Sequence, residues 1–427
     1  MNAIPETFST NIFASVCFGA AIWHTFLAKW FRQLASRFRA GSVAENFFHL
    51  IGEIEVVFGL WAGLYILGIL LLRGGSEANT YLQTRDFTEP VFVFVVLTVC
   101  SSRPILEVAS GLIRRFSLII PCNRAIAFYL ATLTIGPLLG SFITEPAAMT
   151  VTALILRKHF YERGISEKLK YATLGLLFVN ISLGGTLTPY AAPPVLMVAG
   201  RWGWDLQFMF SHFGWKAILV ILISTLFTAY RHRRELSSTG LKKRGDQNPA
   251  PFWISAVHLI FLSMIVLNAH STVIFMGLFL FFLGLVNVTK EYQTELKLKE
   301  GLLVAFFLGG LVVLGGPQRW WLEPIIQKLP TLSLYLSAIG LTALVDNAAL
   351  TYLGAQVPTL SEASKFFLVA GSVVGGGLTV IANAPNPAGY GILNSSFGED
   401  GISAGSLFIS AIVPTSIAAA LFWFLSF

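Results

Sequence analysis

Residues 184–194 read GGTLTPYAAPP and residues 375–385 read GGGLTVIANAP. Laid over one another they agree at six of eleven positions: Gly184 with Gly375, Gly185 with Gly376, Leu187 with Leu378, Thr188 with Thr379, Ala191 with Ala382 and Pro194 with Pro385. Each stretch interrupts a long apolar run, 171–199 and 366–390. Glycine and proline at this density end or unwind a helix. Within hydrocarbon, unwound backbone is tolerated only where protein buries it or where it lines a polar cavity. The pair therefore predicts two spans broken in the middle, produced by one design used twice.

A second pair lies upstream. Residues 141–150, SFITEPAAMT, lie over residues 342–351, TALVDNAALT, with three identities and with Glu145 on Asp346. The surrounding run 125–156 has 32 residues without a lysine or arginine. As one helix it would be roughly 48 Å long at about 1.5 Å per residue, too long for a hydrocarbon core of about 30 Å. With Gly136, Pro137, Gly140 and Pro146 in its middle, it is read as a re-entrant hairpin of two half-helices, and 332–356 is read the same way. A weaker echo, Arg103 to Glu107 over Arg319 to Glu323, precedes both.

The whole chain fits this solvent. Of 427 residues 55% are hydrophobic and only 12% charged, with mean hydropathy +0.71. That is about half the charged share of an ordinary soluble domain, and it excludes disorder as well. Further apolar runs at 12–28, 47–72, 90–109, 217–230, 252–268, 272–288, 301–314 and 404–425 are read as spans. The N-terminus has neither a basic n-region nor an A-x-A cleavage site, so 12–28 is expected to be a retained span. Cys17, Cys100 and Cys122 show no CxxC or Cys/His spacing. A P-loop, a zinc signature and a nucleophile elbow are all lacking, so no cofactor and no enzymatic chemistry are expected.

Lysine and arginine gather in short loops, which sets orientation and argues against a nucleic-acid partner for the net charge of +7. Of 29 basic residues, 21 fall in loops on one side, seven on the other, and Arg103 sits in or at the edge of a span. The basic side is taken as cytoplasmic, with both termini outside and the linker 231–251 inside a cell (inner) membrane. The fold class expected is an all-α polytopic membrane protein. Residues 1–230 and 252–427 form two repeats, each with three spans, a re-entrant hairpin, a broken span and a final span. Because each half crosses an odd number of times, the repeats have inverted topology, the architecture of alternating-access transport.

The breaks carry the candidate chemistry. An ionised carboxylate in a low-dielectric interior needs a cation or several donors, so Glu145 and Asp346 are the expected holders of a transported cation or proton. Thr144, Thr186, Thr188, Thr379, Asn347 and Asn383, with carbonyls freed by the breaks, supply an oxygen shell suited to a hard cation. Helix capping is the plainer role for Asp346 and Asn347, and a helix-starting proline the plainer reading of Glu145-Pro146. Glu53, a turn or two inside the run 47–72, is either part of a proton path or an interfacial acid. Arg103 and Glu107, at i and i+4, are either a structural pair or a gate.

At the hairpin and broken-span motifs, above all ALVDN at 343–347 and the two GG-x-L-T stretches, the sequence resembles the ion transporter superfamily. That group includes NhaD-type sodium/proton antiporters, arsenite pumps and sodium-coupled dicarboxylate carriers, and the resemblance is greatest to a sodium/proton antiporter branch. It implies that hairpin tips and unwound loops form the substrate site, which carries over onto Thr144, Glu145, Asp346, Asn347, Thr186, Thr188, Thr379 and Asn383. The dicarboxylate branch has Ser-Asn-Thr at its tips, where this chain has Ile143-Thr144-Glu145 and Val345-Asp346-Asn347. Two central acids would repel a dianion. The expected function is exchange of Na⁺, or Li⁺ or K⁺, for H⁺, with an ion-coupled anion or oxyacid carrier as the alternative and a channel or scaffold as a third class. The expected partners are Na⁺, H⁺ and the lipid bilayer, with homodimerisation left open.

Overall fold

The computed structural model describes residues 8–241, 249–398 and 401–426. Lys242, Lys243 and Arg244 of the expected basic linker lie outside these. Among the described residues the structure is helical, without strands. Six helices are long and apolar enough to cross a membrane, or seven when the bent pair Thr88–Cys100 and Arg103–Ile119 counts as one span. Large apolar side chains also cover outward-facing surface: Val273 and Phe281 on Thr272–Val288 are 85% and 75% exposed. A soluble protein would hide such a surface, whereas a bilayer is its matching solvent. The chain is a multi-pass membrane protein.

The chain divides into two compact units. The first comprises Met1–Phe94, Leu298–Leu329 and Tyr352–Ser361. Here Ile54–Arg73 crosses Leu298–Gly315 where Gly59 faces Gly310, and a Cβ on Gly310 would run into the backbone of Phe58 and Gly59. Small residues at such a crossing let helix backbones touch when hydrophobic association offers no drive. This unit corrects one expectation. The run 47–72 is not a single span, because the chain breaks at Gly52-Glu53 between Val43–Ile51 and Ile54–Arg73. Gly52 lies against Arg32, where a side chain would not fit, and Glu53 is extended backbone at the head of the longer helix. Glu53 is thus a half-buried boundary residue, not one held a turn or two inside a span.

The second unit, Val95–Lys297, Pro330–Thr351 and Glu362–Phe427, holds the broken spans, the first hairpin and the second hairpin as far as Thr351. The run 90–109 is also interrupted, at Ser101-Ser102, with a bend of 69°. Pro104 then starts the next helix in the position where its missing N–H costs nothing. The first hairpin consists of Arg124–Ile143 and Glu145–His159, joined through Thr144 alone. The break falls inside the expected stretch 136–146, at its far end, while Gly136 and Pro137 stay within the helix, giving a first arm of 20 residues that is long enough to cross a membrane. Pro137 cannot donate to Leu133, the residue four before it. The freed Leu133 carbonyl instead accepts from Asn180 Nδ2 at 2.9 Å and from Thr225 Oγ1 at 3.3 Å. Two side chains from other helices thereby keep the proline inside the helix.

The remaining breaks fall where the sequence places them. Glu167–Gly184 is followed by a short turn, Gly185–Leu187, before Pro193–Trp202, and Glu362–Gly375 is separated from Asn386–Asn394. The second hairpin pairs Thr331–Thr342 with Asn347–Ala355. Gly184 and Gly375 let the broken spans approach the hairpins: a Cβ on Gly184 would strike the carbonyl of Pro137, and one on Gly375 the carbonyl of Ile339. Gly184→Ala should destabilise the protein by about 1–3 kcal/mol through overpacking. Gly277→Ala, where a Cβ meets nothing within 4 Å, should be neutral or slightly stabilising. Thermal unfolding in detergent, read side by side for the two variants, checks this.

Candidate functional site

The second unit brings its four breaks together through backbone that would otherwise lack partners. Ser141 Oγ donates to the Gly184 carbonyl at 2.6 Å and accepts from the Leu187 amide at 2.8 Å, while Thr188 Oγ1 donates to the Ser141 carbonyl at 2.7 Å. In the other half Thr379 Oγ1 donates to the Ala343 carbonyl at 2.9 Å and the Asn347 amide donates to the Ala382 carbonyl at 3.1 Å. Thr188 and Thr379 are matched residues of the two GG-x-L-T stretches, and each bonds the carbonyl four residues beyond the one that its matched glycine touches, Pro137 or Ile339. The two halves are also tied to each other. Ser182 Oγ donates to the Val373 carbonyl at 2.7 Å, and a Cβ on Gly376 would collide with Ser182 Oγ and stand 3.0 Å from Asn347 Nδ2.

Glu145 sits at this junction with no exposure to solvent. Its Oε2 accepts from Asn383 Nδ2 at 2.8 Å, a bond from the first hairpin to the second broken span. Its Oε1 has no hydrogen-bond partner, and Gly185 lies so close that any side chain there would strike that oxygen. The residue just before it, Thr144, has φ +67°, the one positive φ at a non-glycine among the described residues. For a β-branched residue this is a strained conformation costing of order 1–3 kcal/mol. The strain sits at the joint that presents the carboxylate.

Asp346 is half-buried at the head of Asn347–Ala355, where its Oδ1 accepts from the Ala348 amide at 2.8 Å. The capping role is therefore realised. Asn347 is fully buried with both side-chain heteroatoms unpartnered. Asn383 and Asn386 each have an unpartnered buried Oδ1; Asn386 spends its amide on the carbonyls of Gly376 and Thr379, both at 2.8 Å. Thr186 donates to the Leu183 carbonyl of the preceding helix at 2.7 Å. Among the described residues no three His, Cys, Asp or Glu side chains converge as a metal site. Of these amides Asn383 is the one bonded to the carboxylate among the described residues, and carboxylate and amide oxygens suit a hard cation and not a soft one.

Asn386 and Asn180 escaped the sequence reading. Neither has a polar counterpart in the other half, since Val195 and Gly371 occupy the matched positions. The signal for Asn386 was its place between two prolines at the end of the second break. Arg103 and Glu107 form an ion pair, Nε to Oε1 at 2.6 Å, away from the carboxylate and amides just described. Glu53 belongs to the first unit. Because Asn383 alone partners the Glu145 carboxylate, Asn383→Ala should remove a charge-assisted bond of about 1.5–3 kcal/mol. A drop of several degrees in the detergent melting temperature, larger than that of Thr186→Ala, is the expected reading.

A protein-family model described as "Putative Na+/H+ antiporter" matches residues 9–425, nearly the whole chain. No curated protein matches it in sequence. The match identifies the chain as a member of that Na⁺/H⁺ antiporter family.

Proposed function

We propose that the protein exchanges Na⁺, with Li⁺ and K⁺ as weaker alternatives, for H⁺ across the cell's inner membrane by alternating access. The observation that carries this reading is the Glu145 carboxylate. It is fully buried, holds a single amide bond, and leaves one oxygen without a partner at the junction of four helix breaks. A carboxylate so placed is strongly destabilised as a bare anion, and either a cation or a proton relieves it. Two ions that relieve the same group cannot occupy it together, which couples their fluxes. Asp346 is the second acid of the site, and Asn347, Asn383 and Asn386 supply neutral oxygens beside it. Thr188 and Thr379 keep the backbone of the breaks in place, and the unpartnered Thr144 hydroxyl adds an oxygen at the first tip.

The repeated bonding of Thr188 and Thr379, and the repeated glycine contacts of Gly184 and Gly375, support two halves built on one plan and related by inverted topology. In this reading both hairpins are re-entrant, the termini lie outside and the central linker is cytoplasmic. The strained Thr144 is where the first hairpin flexes as the loaded site changes face.

Everted membrane vesicles energised by respiration provide the test. Addition of NaCl should reverse the quenching of a ΔpH dye, LiCl and KCl should do so less well, and choline chloride should not. Glu145→Gln should abolish the response, and Asp346→Asn should reduce it at least tenfold, at unchanged protein content. Dequenching that survives Glu145→Gln would remove this residue from the ion path. A wild-type chain silent to every cation would count against antiport and direct the search to anion uptake.

A further inference from the structure

A cavity of about 870 Å³ opens within the second unit, and neither Glu145 nor Asp346, Asn347 or Asn383 lines it. Its walls nonetheless lead to them. One wall is the helix Glu145–His159, which contributes Thr150 through His159, and another includes Ile392 of Asn386–Asn394. Each of these helices begins at a residue of the candidate site. Thr150 stands five residues beyond Glu145, about 7.5 Å along the axis, and Ile392 six beyond Asn386, about 9 Å. Between the cavity and the buried carboxylate there is thus about a turn and a half of helix.

The lining mixes apolar side chains with charges of both signs. Arg103, Arg114, Lys158 and Lys297 line it together with Glu107, Glu291 and Glu295. So many charges on one concave wall within a membrane protein require water around them. Glu107 anchors this wall: its Oε1 accepts from Arg103 Nε at 2.6 Å and its Oε2 from the Ala250 amide at 2.9 Å, which joins the helix Arg103–Ile119 to the end of the central linker. Arg114, Lys158 and Lys297 are among the basic residues between the apolar runs whose excess marks the cytoplasmic side.

We propose that this cavity is the cytoplasmic aqueous vestibule of the protein, with its floor at Thr150, through which small hydrated cations and protons approach Glu145. The identity of the ions rests on the antiport reading; the access of water to Thr150 from that face does not.

The test uses the full chain with Cys17, Cys100 and Cys122 replaced by alanine and one cysteine restored at a time, labelled with a membrane-impermeant cationic thiol reagent. Thr150→Cys should react at least tenfold faster in everted than in right-side-out vesicles. Ser76→Cys, on the short helix Gly75–Gln83 that the charge count places outside, should show the opposite preference. If Thr150→Cys fails to accumulate, Ser110→Cys on the cavity wall replaces it, with the same sidedness expected. The proposal is overturned if the cysteine in the cavity labels only after denaturation, or only from the face that labels Ser76→Cys. Labelling as expected in a chain that shows no cation-driven dequenching would keep the vestibule and sink the antiport reading.

Discussion

A backbone carbonyl without a donor is close to intolerable in hydrocarbon, and the second unit is organised by that constraint. Every break leaves such groups, and each one described is met by a side chain or amide from elsewhere. Leu133 is met by Asn180 and Thr225, Gly184 by Ser141, Ser141 by Thr188, Ala343 by Thr379, and Gly376 by Asn386. The bonds are not decoration on a fold that would exist without them. They hold hairpins against broken spans, so the same contacts that make irregular backbone affordable also fix where Glu145 stands.

This division of labour separates the polar residues that the sequence groups together. A threonine hydroxyl has one proton to donate, and Thr186, Thr188 and Thr379 have each committed it to a carbonyl. An asparagine can give its amide to the backbone or to a carboxylate and keep its oxygen. Asn383 and Asn386 do so, and Asn347 keeps both atoms. The threonines are thus chiefly framework, while the amides join framework to site. Oxygen-bearing residue types at a break are visible in sequence; which of them have already spent their donors is not.

The breaks themselves were legible because glycine and proline mark them and because each appears twice. The acids stood out because an intramembrane carboxylate is costly wherever it lies. The residues that escaped share one property, the lack of a matched polar partner in the other half: Asn180 pairs with Gly371 and Asn386 with Val195. Two interruptions also escaped, at Gly52-Glu53 and Ser101-Ser102. A lone glycine or a pair of serines in an apolar run is compatible with a continuous helix, and only the close approach of Arg32 to Gly52 shows why the chain turns there. Pro137, a residue that normally breaks helices, is retained inside one because neighbours donate to the Leu133 carbonyl that it leaves without a partner.

The sign of the site follows from counting helix ends. Four helices begin at the breaks, Glu145–His159, Pro193–Trp202, Asn347–Ala355 and Asn386–Asn394, and four end there, Arg124–Ile143, Glu167–Gly184, Thr331–Thr342 and Glu362–Gly375. Each beginning carries roughly half a positive charge and each ending roughly half a negative one, so the backbone contribution nearly cancels. Half-helices alone therefore favour neither anions nor cations. The balance passes to the side chains, and the charged ones are two carboxylates, Glu145 and Asp346, each at the start of a hairpin's second arm. An anionic substrate would meet two acids with no fixed cation among the residues described at the junction to offset them. In the antiport reading proposed above, a small cation would meet the unpartnered Glu145 oxygen beside the Asn383 amide, and a proton would meet the same carboxylate. The arrangement thus favours the pair of ions that the family's description names.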